Sequence, residues 1–240
     1  MRYEKVVAIV LARVENALLP GKVLLPIEGP SVLERVVERV QRMQRIDGFL
    51  VATTDRPADD PIEQLARAHG WACYRGAADD VLERCLRAAQ GVGADHVVLI
   101  DGDCPLISWQ EADRSVDLHQ RCGAQLTHNL AAHGSRMPRG AGCEVVEFGA
   151  LATAHAHARS SAERRRPTAH LHRHPQRFRI LRRGAPPELA EAELNVAVEC
   201  AEDLERLRWV QRVAGERECV ALEQALALLA RRQGPSGASH

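Results

Sequence analysis

Short apolar runs alternate with stripes at helical spacing through the first half of the chain, and no other feature constrains the fold as much. Residues 6–12, 49–53, 71–74 and 96–100 read as buried strands. Between them, Val32, Leu33, Val36, Val37, Val40 and Met43 recur at the spacing of one helix face. Ser31 with Glu34 forms a capping box that marks where this helix begins. Asp60-Pro61-Ile62-Glu63 sets a cap, a first-turn proline and an acidic first turn in order, for a helix ending near Gly70. A further helix starts near Asp80, and Ser108 with Glu111 caps another. Strand–helix alternation of this kind implies right-handed crossovers and a mostly parallel sheet covered on both faces. The expected fold is α/β, a Rossmann-like three-layer α/β/α core.

The second half is less regular. Residues 125–129, 143–146, 178–181 and 194–198 suggest short strands, and residues 155–173, rich in His and Arg, suggest a helix. Residues 125–182 are expected to form an inserted lobe or dimerisation region within one domain spanning 1–230. Helices are expected over 201–213 and 220–230, with a frayed tail from 231 to 240.

The 240 residues carry 32 basic and 32 acidic side chains, so net charge points to neither nucleic acid nor an anionic membrane as partner. Aromatic residues are 3% of the chain, too few for stacking platforms for single strands. Seven cysteines, an odd number without C-x-x-C spacing, fit a reducing compartment and hence the cytoplasm better than a disulfide framework. The apolar run at 6–12 is too short to span a membrane.

Three segments carry candidate chemistry. Leu11, Ala12 and Arg13 lead from the first strand into a loop that ends at Lys22. Such a loop lies at the carboxyl edge of an open α/β sheet, where ligands bind. Arg13 as a fork and Lys22 as a point charge suit a triphosphate, and a solvated loop with two surface cations is the plain alternative. The loop matches neither G-x-G-x-x-G nor the P-loop pattern. Asp101-Gly102-Asp103 follows the fourth strand, and two carboxylates on a turn there suit Mg²⁺ bound to substrate phosphates. Glu199, after the last apolar run, either completes that metal site or caps the next helix.

Taken in order, residues 12–22, 52–55, 75–82, 102–107, 138–140, 174–180 and 198–204 resemble the cytidylyltransferase family of spore-coat polysaccharide biosynthesis, relatives of the acylneuraminate and 3-deoxy-manno-octulosonate cytidylyltransferases. The resemblance implies transfer of CMP from CTP to a small acidic or sugar-like acceptor, with pyrophosphate released and Mg²⁺ as cofactor. A homodimer is expected. It assigns Arg13 and Lys22 to the triphosphate, Asp103 and Glu199 to the metal, and Thr53, Asp55 and Arg75 to the nucleoside side. Arg139 and Glu144 fall on the acceptor side. Four places depart from the family pattern, among them Glu199 for the usual aspartate and Gly140-Ala141-Gly142-Cys143-Glu144, which lacks an acidic acceptor-side residue, for G-L-D-V-E. Glu15-Asn16-Ala17-Leu18 replaces Gly-Ser-Thr-Arg, which removes a cation and adds a carboxylate near a polyanion; that costs binding unless Glu15 points away or is neutralised. Arg165-Arg166-Pro167-Thr168-Ala169 stands in place of E-H-V-T-P. His155, His157, His170, His172 and His174 invite a metal reading, but i and i+2 share no helix face, so a solvated or interface helix is expected there.

Overall fold

The computed structural model describes residues 3–190, 194–215 and 220–233. Strands β1 (Val6–Leu11), β2 (Gly48–Thr54), β3 (Ala72–Gly76), β4 (His96–Asp101), β5 (Leu126–His128), β6 (Glu144–Glu147) and β7 (Ile180–Arg182) form one sheet in the order β3-β2-β1-β4-β6-β5-β7. Neighbours run parallel except β6, which is antiparallel to both β4 and β5. The segment at 125–182 therefore adds three strands to the main sheet, and its helices pack on that sheet.

Helices α1 (Val32–Val40), α2 (Asp60–Ala68) and α4 (Trp109–Cys122) cover one face, burying Leu33, Val37, Ile62 and Val116 against Ala8, Val10 and Val98. Helices α3 (Val81–Val92), α5 (Phe148–His157) and α7 (Ala169–Arg173) cover the other, where Leu82, Leu86, Leu151 and Leu171 pack on Val7, Ile9, Val97 and Leu99. A third apolar cluster joins α8 (Ala201–Ala214) and α9 (Leu222–Gln233) to Ile27, Val32, Met137 and Val196. These layers follow from the β-branched strands, apolar on both sides, flanked by helices apolar on one.

The capping box Ser31–Glu34 forms as the sequence predicts, with Glu34 N donating to Ser31 Oγ and Ser31 N to Glu34 Oε2. Elsewhere the local reading needs correction. The cap position of α2 belongs to Asp59, not Asp60, and its carboxylate accepts from Val14 N and Thr54 N instead of capping. Residues 194–198 form no strand; a single bridge, Arg139 to Asn195, replaces the expected ladder. Helix α9 continues through Gln233, so 231–233 are helical, and 234–240 lie outside the described residues.

The expected helix over 155–173 is broken into three: α5 ends at His157, α6 spans Ser161–Arg165, and α7 starts at Ala169. Ser160 restarts the chain with a second capping box onto Glu163, and Pro167 separates α6 from α7. Hydrogen bonds from Ser160 and Arg159 hold the Glu163 carboxyl down at about 2. A carboxyl depressed by folding stabilises the fold above its unfolded value, and that contribution is lost as pH falls toward 2. Glu163→Gln is therefore expected to melt below wild type at pH 7, with the gap closing between about pH 4.5 and pH 2; an unchanged gap across a pH series of thermal melts contradicts this.

Candidate active site

The loop after β1 is held compact by its own side chains. Asn16 Oδ1 accepts from Leu18 N and Leu19 N, and Gly21, at φ +72°, closes the turn by donating to Val14 O at 2.8 Å. That turn drops Lys22 inward, 7% exposed, with Nζ donating to Asp103 Oδ2 at 2.5 Å and to Val198 O at 2.7 Å. Asp103 comes from the turn after β4. Gly102 brings that turn against β1: its N–H donates to Leu11 O at 2.7 Å, and an added Cβ would sit 2.8 Å from the same oxygen. Val198 N donates to Asp103 O at 2.8 Å. Three distant chain segments thus meet at the carboxyl edge of the sheet.

Asp101 ends β4 beside this junction. Its side chain reaches the surface, but the surrounding protein strips solvation from the charged form, and Asp103 and Glu144 repel it; its carboxyl is pushed up to about 6 against the pull of Arg166 and Lys22. Asp101, Asp103 and Cys104 present ligand atoms within 4.8 Å of one another. Burial and both carboxylates push the Cys104 thiol well above its usual value, so the remaining donors are hard carboxylate oxygens. That donor set fits Mg²⁺ better than a thiophilic metal.

The other candidates separate into three places. Arg13 is exposed at the loop's start, with no ion pair among the described residues. Ala12 N is already bonded to Ala52 O, and Leu11 O to Gly102 N. Thr53 is fully buried, and Arg75 opposite it in register turns toward α2, where Asp60 (2.6 Å) and Glu63 (2.8 Å) hold its guanidinium. These two lie on the α2 side of the sheet, not in the cleft. Asp55 does line an open cleft of about 590 Å³ with Arg56, Asp79, Asp80 and Arg164. Glu199 is held by Arg139 at 2.5 Å and stands outside the Asp101–Asp103 group. Gly140, at φ +88° and packed onto Ala197, docks the Arg139 loop against residues 194–198.

Glu15 is neutralised: its carboxylate pairs with Arg56, which also reaches Asp79 at 3.1 Å. Sequence reasoning passed over Arg56, whose only signal was its place just after a strand end. It also passed over a group around Glu144: His172 Nε2 and Thr168 Oγ1 bond the two Glu144 oxygens, at 2.8 and 2.7 Å, and the His133 ring stacks on His172.

An open α/β sheet binds its ligands beyond its carboxyl edge, where these cations and carboxylates converge. Residues 7–228 match the family described as Cytidylyltransferase, and the chain belongs to that family of CTP-dependent nucleotidyltransferases. It is 27% identical over 228 residues, 93% of each chain, to the spore coat polysaccharide biosynthesis protein SpsF of Bacillus subtilis. It is 29% identical over 113 residues, 46% of this chain and 43% of the relative, to a 3-deoxy-manno-octulosonate cytidylyltransferase of Pelobacter propionicus. The fold matches the structure of a cytidylyltransferase from Leptospira borgpetersenii with a TM-score of 0.88 at 24% identity, covering 99% of this chain and all of the other. Among the described residues, no helix is long and apolar enough to cross a membrane.

Proposed function

We propose that the protein transfers CMP from CTP to a small acidic or sugar-like acceptor and releases pyrophosphate, with Mg²⁺ as cofactor. The observation that carries this reading is the direct contact of Lys22 with Asp103 at the carboxyl edge. An acceptor hydroxyl oxygen bonds to the α-phosphorus as the bond to the β-phosphate oxygen breaks, and pyrophosphate leaves. Lys22 and Arg13 stabilise the charge that builds on the leaving pyrophosphate. Asp103 and Asp101 would hold Mg²⁺, which when bound neutralises phosphate charge. Glu199, whose Oε1 is held by Arg139, would be free to join them when an acidic acceptor group takes Arg139. The cleft at Asp55 has room for the nucleoside.

The test is pyrophosphate release from each of the four nucleoside triphosphates with Mg²⁺ and a panel of sugar acids that includes 3-deoxy-manno-octulosonate. Turnover with CTP above the other three is expected; no turnover, or indifference to the base, overturns the reading. The Glu15–Arg56 pair gives a second measurement. Glu15→Ala removes a carboxylate from the phosphate loop and leaves Arg56 with Asp79 as its one remaining ion-pair partner among the described residues, so calorimetry is expected to show CTP binding about threefold tighter, the scale of an exposed ion pair. Weaker binding contradicts the placement of the triphosphate beside this loop.

A further inference from the structure

Strand register places a row of polar side chains on one face of the sheet beside the proposed phosphate site. Leu99 of β4 pairs with Glu144 of β6, Glu144 with His128 of β5, and His128 with Arg182 of β7. Directly paired residues project to the same face, and Asp101, two residues beyond Leu99, shares it. Helix α7 lays His172 over this row. The Glu144 carboxylate accepts at both oxygens, from His172 Nε2 and from Thr168 Oγ1. An ionised carboxylate only accepts, so Nε2 carries the hydrogen, and in the neutral ring Nδ1 then holds the lone pair. Nδ1 has no protein partner among the described residues.

We propose that His172 takes the proton from the acceptor hydroxyl and that Glu144 is the positioning residue that fixes its tautomer, a step that rests on the transfer reaction proposed above. As the oxygen–phosphorus bond forms, the hydroxyl proton passes to Nδ1, the bond to the β-phosphate oxygen breaks, and pyrophosphate carries away the electron pair. The imidazolium then gives its proton to solvent.

The surroundings suit this role. The His133 ring lies 3.9 Å from that of His172 at 10°, which restrains rotation. His128, 4% exposed, stands edge-on to both at 5.1 Å, and its Nδ1 is buried without a partner. Burial and the neighbouring His172 push His128 down to about 4 and His133 below its usual value, so both stay neutral near pH 7. Arg166 lies close enough to act on Asp101 and His133, and Arg182 on His128. The groups in contact with His172 are thus the Glu144 carboxylate and the His128 and His133 imidazoles, with Asp101, Arg166 and Arg182 farther along the row. A proton arriving at His172 meets the paired carboxylate, and the guanidinium groups suit an acceptor bearing a carboxylate or phosphate.

Nitrogen NMR of the full chain with labelled histidine, in the presence of CTP and Mg²⁺, reads the His172 tautomer, with its signal assigned by loss in His172→Gln. An Nε2–H tautomer with bare Nδ1 at pH 7.5 is expected. His172→Gln is expected to bind CTP within about twofold of wild type while kcat for pyrophosphate release with the best sugar acid falls about 100-fold or more. Glu144→Gln should admit the Nδ1–H tautomer while CTP binding holds, which a purely structural tie between α7 and β6 would not do. A protonated Nδ1 in the CTP complex, or a His172→Gln rate within threefold of wild type, overturns the base and leaves the transfer reaction standing. A wild type that consumes no sugar acid overturns both.

Discussion

Lys22→Ala is expected to lower pyrophosphate release from CTP by about 100-fold or more, the scale set by removing one preorganised charge from a transition state. Lys22 joins all three segments of the site: it leaves the β1 loop, bonds Asp103 of the β4 turn and reaches Val198 before α8. Its loss does not strand a buried charge, because the Asp103 side chain is 25% exposed and water can solvate it. Val198 O loses a donor, at a cost of about 1 kcal/mol. A variant that melts within a few degrees of wild type but releases little pyrophosphate is the expected outcome of paired melting and steady-state assays. Activity within threefold of wild type contradicts the role.

The second large effect falls on stability. Arg39 lies on α1, 1% exposed, among the largest fully buried side chains. Its Nη1 donates to Ile107 O at 3.3 Å, its Nη2 donates to Val220 O, and its guanidinium lies 5.3 Å from the Trp109 ring centroid. It therefore pins α1 both to the segment that follows Asp103 and to the start of the α9 region. Arg39→Ala leaves two carbonyls without a charged donor and opens a cavity, and is expected to cost about 3 kcal/mol or more in urea unfolding. Activity should fall with it, since Ile107 closes the turn that carries Asp103 by donating to Cys104 O at 3.0 Å. An unchanged unfolding midpoint contradicts this role.

How legible each part was depended on how local its cause is. The strand around Val6–Leu11 and the capping box at Ser31 are set by neighbours a few residues apart, and the sequence shows both. The antiparallel insertion of β6 between β4 and β5 is a pairing across distant residues, for which no periodicity gives a sign. Residues 155–173 read as one helix because Ala, His and Arg all tolerate helices, and the weight of Ser160 and Pro167 as a restart and a break was missed. In the site, the convergence of Lys22 and Asp103 was predictable because both follow strand ends on the ligand edge. The place of Arg75 in a motif says nothing of which sheet face it takes, and the period of two turns it toward Asp60 and Glu63. The Glu144–His172 pair joins β6 to α7, 28 residues apart, so spacing alone could not reveal it.

A crystal structure of the protein with a non-hydrolysable CTP analogue and Mg²⁺ tests the central claim most directly. The expected result is a triphosphate in contact with Lys22 Nζ and the Arg13 guanidinium, with the metal on Asp103 and the cytidine toward Asp55. A nucleotide bound with its phosphates away from Lys22, or a metal that leaves Asp103 untouched, would contradict it.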